Sequence, residues 1–168
     1  MDEIQLNVKC IKFVKRTTQA DYIEVVKGTG CSSYVGKAGG KQPVTLLTTN
    51  GAPGATCMIK GIIMHELNHA LGFHHMQSAT DRDNFVTVNY ANIRDGASGN
   101  FAKYANTYIS YFGTKFDIGS VMMYPRTAFS KNGLDTITTK TLADKDVIGQ
   151  RLKLSVGDIQ RLNNMYCL

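Results

Sequence analysis

The residues best suited to chemistry lie between His65 and His75. This short segment carries three imidazoles, on His65, His69 and His75, and a carboxylate on Glu66. Because His65 and His69 are one helical turn apart, they share one helix face and converge on a single point. Glu66 lies around the helix from His65, within reach of a metal-bound water rather than of the metal itself. Three protein ligands leave zinc an open position for water, as catalysis requires.

A helix is predicted to carry the first two histidines. Apolar residues recur at helical spacing between Cys57 and Leu71, which indicates an amphipathic helix. Gly72 adopts positive φ at little cost, so it can end the helix and turn the chain back. His75 can then approach as the third ligand. The apolar positions are Ile59, Ile62, Ile63, Leu67 and Leu71.

The length of the motif separates this site from a chance match. A lone His-Glu-x-x-His also arises by chance on an amphipathic helix, where a single histidine is more often a satisfied core residue. The longer pattern, with Gly72 and His75, is typical of the metzincin metallopeptidases, which also carry a methionine turn downstream. Residues 120–124, Ser-Val-Met-Met-Tyr, supply such a turn. Two parts of one site, far apart in sequence, therefore favour a metal-dependent peptidase.

The sequence resembles the astacin family from about Cys10 to Leu168. Other matching segments are 81–83, Asp-Arg-Asp, and 86–90, Val-Thr-Val-Asn-Tyr. The segment from His65 to Phe73 is similar to that of hatching enzymes in the family.

The resemblance implies a role for each residue of the site. One zinc ion would be bound by His65, His69 and His75, and Glu66 would be the general base. The resemblance also places Met122 beneath the metal as the floor of the site. Tyr124 would be a mobile fifth ligand that stabilises the oxyanion of the reaction. These assignments are those of a zinc-dependent endopeptidase.

The same resemblance implies an α+β fold with two lobes, of the metzincin or zincin type. A twisted mixed sheet and the active-site helix would lie above the cleft, and an irregular lower lobe would end in a C-terminal helix. Residues 1–168 are expected to form one such domain, without the family's N-terminal strand and part of its first helix. Met76 stands where the family has a glutamate that engages the mature amino terminus, and Ala79 replaces an arginine.

Three segments ahead of the helix are predicted to be strands: Ile11 to Val14, Tyr22 to Val26 and Gln42 to Leu47. Pro43 is suited to an edge strand because it has no N–H to donate. By resemblance, this edge lines the cleft and pairs with extended substrate; the alternative is a plain exposed edge. The substrate-binding residues would be Val44, Thr45, Leu46 and Leu47.

A helix is also predicted at the C-terminus. Ser155 and Asp158 have the spacing of a capping arrangement. An apolar stripe follows at helical spacing, which predicts that this helix packs on the lower half. The stripe consists of Val156, Ile159, Leu162, Met165 and Tyr166.

The four cysteines are even in number and lack Cys-x-x-Cys spacing, which favours two disulfides over a thiolate metal site. Their spacing leaves three pairings open. Similarity to the astacins implies the pairs Cys10–Cys167 and Cys31–Cys57. Since disulfides need an oxidising compartment, we expect a secreted protein, although the first residues lack the character of a signal peptide.

Composition sets broad limits on the partners. The 168 residues include 19 basic and 13 acidic ones, giving a net charge of +6, which favours acidic substrates or an anionic matrix. The sequence has no motif that recognises the grooves of DNA or RNA, so we expect no nucleic-acid partner. Apolar runs are too short for a membrane span, and a monomer that acts on protein or peptide substrates is expected.

Two functions are compatible with these residues. The first is a secreted zinc endopeptidase; the alternative is a non-catalytic extracellular zinc-binding or interaction module that retains the fold. Retention of Glu66 and of the three histidines favours the enzyme. The changes at Met76 and Ala79 and the late start of the matching segment weigh against it.

Overall fold

The computed structural model describes residues 1–48, 56–105 and 107–167. These residues form the mixed α+β fold expected from the sequence. The helices are α1 (Asp2–Asn7), α2 (Lys60–Ala70) and α3 (Val156–Tyr166). The strands are β1 (Tyr22–Lys27), β2 (Ser32–Ser33), β3 (Lys41–Leu46), β4 (Val86–Val88) and β5 (Ile137–Thr139). Short 3₁₀ turns cover Met76–Ser78, Arg82–Asn84, Tyr90–Asn92, Ser98–Phe101 and Leu142–Asp146.

The larger sheet is mixed and has the strand order β1-β3-β2. β1 runs parallel to β3, with Val25 opposite Val44, whereas β2 is antiparallel, with Ser33 opposite Val44. The predicted strands at 22–26 and 42–47 are therefore confirmed to within a residue or two. The prediction of a strand from Ile11 to Val14 is wrong, because these residues join no sheet in the described part of the chain. Instead, the Phe13 N–H donates to the side-chain oxygen of Gln5 at 2.7 Å.

β3 is the central strand, so the prediction that Val44 to Leu47 forms an exposed edge is wrong. Val44 is fully buried between its two neighbours, and Leu46 is 5% exposed. Leu47 lies past the end of the strand, where its N–H donates to Cys57 Sγ at 3.0 Å. The pairing with β2 ends at Val44, next to Pro43, so the proline marks the end of the pairing rather than an open edge. The strand beside the site is β2.

Helix α2 is shorter than the predicted range from Cys57 to Leu71. Cys57 is held in a disulfide, and the helix begins only at Lys60, with the Ile59 carbonyl accepting the Ile63 N–H at 3.1 Å. It ends after Ala70, where Gly72 adopts a φ of +100° and donates its N–H to the His69 carbonyl at 2.8 Å. The predicted role of Gly72 in turning the chain is therefore confirmed.

The interior consists of two hydrophobic clusters. The first joins α1, α2 and α3 with part of the segment 120–124, and its central residues include Ile4, Leu67 and Leu162. The second lies around the antiparallel pair β4–β5 and includes Phe101 and Ile137. The C-terminal helix α3, which was expected in the lower lobe, shares the first cluster with the active-site helix α2, so the two clusters do not divide the domain at the cleft.

Helix α3 begins with the predicted cap. Ser155 Oγ accepts the Asp158 N–H at 2.9 Å, and the Asp158 carboxylate accepts the Ser155 N–H at 3.0 Å. Of the predicted apolar stripe, Leu162 is fully buried, but Val156 is 82% exposed. The prediction that Val156 packs against the core is wrong, because this residue occupies the first position of the helix and faces solvent.

Two disulfides close the chain, and both expected pairs are present. Cys10 is bonded to Cys167, with 5.6 Å between the Cα atoms, and Cys31 to Cys57, with 5.7 Å. The first joins the two ends of the domain, and the second fixes the residue before β2 to the segment that leads into α2. Within the described ranges, no helix has the length and apolar character needed to cross a membrane.

Candidate active site

The three predicted metal ligands converge as the motif requires. The Nε2 atoms of His65 and His69 each lie 3.1 Å from Nε2 of His75. His65 and His69 project from one face of α2, and His75 returns toward them after the turn at Gly72. A tetrahedral zinc ion with Zn–N bonds of about 2.1 Å separates its ligand nitrogens by about 3.4 Å. The spacing of the three rings therefore fits one zinc ion.

The second nitrogen of each helix histidine fixes its ring. His65 Nδ1 lies 2.8 Å from the Val121 carbonyl, and His69 Nδ1 lies 2.8 Å from the Phe73 carbonyl. A carbonyl only accepts, so each Nδ1 carries the proton and each Nε2 presents a lone pair. Both of these lone pairs face Nε2 of His75 at 3.1 Å, so a cation between the three rings is within reach of each nitrogen. The donor set thus fits a bound zinc ion.

Burial keeps all three histidines neutral. It lowers the pKa of His65 to about 3, of His69 to about 4 and of His75 to about 2, with further lowering from the neighbouring imidazoles. Zinc binds the unprotonated imidazole. The site is therefore ready to hold a metal throughout the physiological pH range without first releasing protons.

Glu66 lies beside the histidines in a similarly buried place. Its side chain is 4% exposed, and its Oε2 is buried without a hydrogen-bond partner in the described residues. Burial raises the pKa of the Glu66 carboxyl to about 7, while the positive charge of Arg151 opposes this shift. A carboxyl with a pKa near neutrality can both accept and return a proton at physiological pH.

The segment 120–124, predicted to be the methionine turn, is bonded to the metal-ligand segment and to α3. Met122 is 1% exposed, and its carbonyl accepts the Met76 N–H at 2.9 Å, directly after the third histidine. The Asp158 carboxylate accepts the Val121 N–H at 2.8 Å and the Ser120 hydroxyl at 2.6 Å. The C-terminal helix therefore fixes the segment whose Val121 carbonyl contacts His65 Nδ1.

Tyr124 lies at the rim of the site. Its ring centroid is 4.5 Å from that of His75, and burial raises the pKa of its phenol. The hydroxyl therefore stays protonated and able to donate at physiological pH.

A cavity of about 310 Å³ opens over the three histidines. Ser32 and Ser33 of β2 form one side of it, and Tyr124 lies on its lining as well. Val44 to Leu46 do not line this cavity, since β2 separates β3 from the site. The remaining lining residues are Cys31, His65, Glu66, His69 and His75.

His74 does not join the metal ligands. Its ring packs instead against Tyr104, at 4.8 Å between centroids, and Tyr108, at 5.3 Å. The choice of His75 over His74 as the ligand follows from the geometry of the turn at Gly72.

Sequence reasoning missed several supporting residues. Asp158 was recognised only as a helix cap, and Arg161 was not recognised at all, yet Arg161 Nη2 donates to Asp158 at 2.7 Å in the interior. Arg82 is 3% exposed and donates to the carbonyls of Gln77 and Phe101, which fixes the chain after His75. The one available signal was the presence of Asp158 and Arg161 on the same helix face as the apolar Leu162.

The fold and the site together define a metzincin-type metallopeptidase domain, with the long histidine motif, the methionine turn and the mixed sheet. The sequence profile of the peptidase family described as Astacin matches residues 1–167. The chain therefore belongs to the astacin family.

Individual relatives agree with this assignment. The chain is 47% identical over 159 residues to zinc metalloproteinase nas-13 of Caenorhabditis elegans, covering 94% of this chain and 33% of that protein. It is 43% identical to high choriolytic enzyme 1 of Oryzias latipes, covering 94% of this chain and 55% of the relative. The chain thus spans about a third to a half of the length of these curated relatives.

A solved structure supports the fold. High choriolytic enzyme 1, a hatching enzyme zinc-protease from Oryzias latipes, matches with a TM-score of 0.84 and 40% sequence identity. The match covers 99% of this chain and 82% of that structure.

Proposed function

We propose that this chain is the catalytic domain of a secreted zinc endopeptidase that hydrolyses peptide bonds in protein substrates. The observation that carries the proposal is the meeting of three histidine Nε2 atoms beside the unpartnered, buried Oε2 of Glu66. A purely structural zinc site has four protein ligands and no open position. Here three ligands and a free carboxylate oxygen leave room for a reacting water.

His65, His69 and His75 would hold the zinc ion, which when bound lowers the pKa of water and polarises the substrate carbonyl. Glu66 Oε2 accepts a proton from the attacking water and then delivers it to the nitrogen of the departing amine. The setting of Glu66 supports this role, because its Oε2 is buried beside the histidines without a hydrogen-bond partner among the described residues and is free to take the proton. The proton therefore begins and ends on the reactants.

Tyr124 and Met122 support the reaction from either side of the ligands. The Tyr124 hydroxyl donates a hydrogen bond to the oxyanion that develops on the substrate carbonyl. Met122, which is 1% exposed, would provide an apolar, polarizable floor for the site. Neither residue needs to change its protonation state during turnover.

An extended peptide would bind along β2. This two-residue strand pairs with β3 on one side, and its other edge has no backbone partner among the described residues. Ser32 and Ser33 also line the cavity over the histidines. Strand addition at this edge brings a peptide carbonyl over the metal site. The substrate-binding role expected of Val44 to Leu47 therefore passes to β2.

The setting of this activity is extracellular. Two disulfides bridge the domain, as is usual in oxidising compartments. A net charge of +6 favours acidic protein substrates. The protein acts as a monomer and without nucleic-acid partners.

Replacement of Glu66 by Gln tests the proposal against a non-catalytic zinc-binding module. The wild-type protein should cleave unfolded casein in a chelator-sensitive manner. Glu66→Gln should retain one zinc per chain and lose activity by about 10²–10⁴-fold, the usual contribution of a positioned acid–base group. Glu24→Gln is the matched control, since Glu24 pairs with Lys41 on the sheet, away from the histidines. A zinc-loaded wild-type protein without chelator-sensitive cleavage would establish the module instead.

A further inference from the structure

Gln77 is a buried polar residue near the metal ligands that no step of the proposed hydrolysis uses. It follows the third histidine by two positions and is fully buried. Gln77 Nε2 donates to the Asn100 carbonyl at 3.2 Å, and the backbone carbonyl of Gln77 accepts from Arg82 Nη1 at 2.7 Å. The residue is therefore fixed both through its backbone and through its amide.

The oxygen of this amide is left without a partner. Gln77 Oε1 is buried and accepts no hydrogen bond from any described residue. A carbonyl only accepts, so the contact with the Asn100 carbonyl assigns the amino nitrogen and leaves the oxygen as the unpaired atom. Since an unpaired acceptor is costly in the interior, the orientation of the amide follows from the partners of Nε2.

The same two segments that hold the Gln77 amide also enclose the Tyr124 ring. The Tyr124 ring lies against His75, at 4.5 Å between centroids, and against Phe101, at 5.9 Å. His75 lies two residues before Gln77, and Phe101 directly follows Asn100, the residue whose carbonyl holds the amide. Gln77 and Tyr124 are therefore neighbours between these segments.

The Gln77 amide donates to the Tyr124 phenol. Burial raises the pKa of this phenol, and a hydrogen bond from the Gln77 side chain acts in the opposite direction. A hydrogen bond lowers the pKa of a phenol when it is donated to the oxygen, because it then stabilises the charged form. Nε2 carries the only side-chain donors of glutamine, so it is Nε2 that faces Tyr124 Oη.

The cavity over the histidines lies along Tyr124 and not along Gln77. Tyr124 is one of its lining residues, whereas Gln77 is buried behind this wall. A phenol oxygen that accepts a hydrogen bond on the buried side has its own proton free for the cavity side. It also donates more strongly, because successive hydrogen bonds polarise one another.

We propose that Gln77 is a positioning residue for Tyr124: Nε2 donates to the phenol oxygen and so directs the hydroxyl proton toward the oxyanion of the substrate. This inference rests on the proposed hydrolysis and adds a residue to it. Gln77 contacts neither the substrate nor the metal and acts only through Tyr124. The unpaired Oε1 is the cost of holding the amide in this orientation.

A double-mutant cycle tests this role. Gln77→Met removes the amide and keeps a side chain of similar size. With an internally quenched peptide as substrate, we expect kcat to fall about tenfold, as for the loss of one hydrogen bond, with KM and zinc content unchanged. In Tyr124→Phe, which lacks the oxygen that Gln77 holds, the same substitution should change kcat by less than about twofold.

Gln42→Met is the matched control. Gln42 is also a buried glutamine, but its amide is bonded to another loop: Nε2 donates to the Gly36 carbonyl and Oε1 accepts the Ala38 N–H, both at 2.9 Å. Any loss that it causes should be the same in the wild type and in Tyr124→Phe, because independent sites add.

Equal losses of kcat from Gln77→Met in the wild type and in Tyr124→Phe would overturn the inference, as would a rise in KM at constant kcat. Should Gln77→Met fail to fold, Gln77→Asn decides. Its shorter amide withdraws the donor from Tyr124 but stays polar, and an unchanged kcat in this variant contradicts the role. A wild-type protein without chelator-sensitive cleavage would overturn the proposed function itself, and the role of Gln77 with it.

Discussion

At the scale of single residues, the site depends on which nitrogen of each histidine carries the proton. The Val121 and Phe73 carbonyls hold the Nδ1 protons of His65 and His69, so both Nε2 lone pairs face the metal position. Backbone carbonyls cannot titrate, and this orientation therefore persists at every pH at which the protein is folded. Three neutral, facing imidazoles make the folded state less stable when the pH falls.

The stability of the zinc-free protein should decrease as the pH is lowered from about 6.5 to about 4.5. The ordinary pKa of histidine is 6.5, and the buried ligands have values of about 3, 4 and 2, so only the unfolded chain protonates them in this range. Glu66 acts oppositely, because its pKa is raised from 4.5 to about 7 and the folded state holds its proton. Three protons taken up against one released give a net uptake of about two on unfolding, and His74, whose pKa burial also lowers, adds to it.

Urea denaturation in the presence of chelator gives the free energy of unfolding at each pH. The slope of this free energy against pH measures the proton uptake. Glu66→Gln removes the opposing group, and its slope should rise to about three protons. A free energy of unfolding that stays constant over this pH range would contradict the burial of the neutral histidines.

Removal of the Tyr124 hydroxyl should slow catalysis without loss of the metal. Tyr124→Phe keeps the ring that packs on His75 but removes the donor to the oxyanion, so we expect kcat to fall by about 10²–10³-fold with KM nearly unchanged. Peptide hydrolysis and zinc content are measured together. Tyr90→Phe is the control, because that hydroxyl lies 3.3 Å from Arg82 and outside the metal site. An equal loss in both variants would assign Tyr124 a structural role.

The convergence of the histidines and the placement of Glu66 beside them were predictable because short-range helical geometry decides both. His65 and His69 are a turn apart in any helix, and Gly72 permits the return of His75. The contacts of Asp158 were not predictable in this way, since its partners Ser120 and Val121 lie far away in sequence. A cap pattern reveals the local bonds of a carboxylate and not its tertiary ones.

At the scale of elements, the position of α2 depends on a close approach to another segment. A Cβ at Gly61 would lie 2.0 Å from the carbonyl oxygen of Arg151, so the helix and this loop touch through backbone atoms. Only glycine permits that distance. The metal ligands on α2 are thereby held against the segment that carries Arg151.

Gly61→Ala should therefore destabilise the protein by about 1–3 kcal/mol or more, as overpacking does, even though alanine favours helices. Gly99→Ala is the matched control, because a Cβ there meets nothing within 4 Å. Thermal unfolding of both variants gives the comparison. If the two substitutions have the same small effect, α2 and the Arg151 loop are not in backbone contact.

The order of strands shows what local patterns leave out. The β-rich segments at Tyr22 and Val44 were recognisable from composition, but their neighbours depend on contacts across the domain. Pro43 indicated an edge, whereas the structure has β2 covering β3 up to the residue beside that proline. Two serines have little strand propensity, so β2 owes its conformation to pairing with β3 and to its place near α2.

At the scale of the whole molecule, two disulfides constrain different parts of the chain. Cys10–Cys167 spans 157 residues and joins the ends of the domain, whereas Cys31–Cys57 spans 26 and joins β2 to the approach of α2. The pairing was accessible only through family resemblance, because the sequence positions of four cysteines allow three arrangements. The two bridges should therefore differ in what their loss affects.

Removal of the long bridge should cost stability, and removal of the short one should cost substrate binding. On the chain-entropy view, the loop closed by Cys10–Cys167 contributes about 5 kcal/mol and that closed by Cys31–Cys57 about 3.5 kcal/mol. The Cys10→Ser/Cys167→Ser protein should thus melt at the lower temperature, with kcat/KM retained in the folded fraction.

In the Cys31→Ser/Cys57→Ser protein, β2 is no longer linked covalently to the segment that leads into α2. Its KM for an extended peptide should therefore rise more than its kcat falls. Peptide kinetics measured well below both melting temperatures separate these effects, and a KM that is unchanged without the short bridge would show that β2 does not bind the peptide.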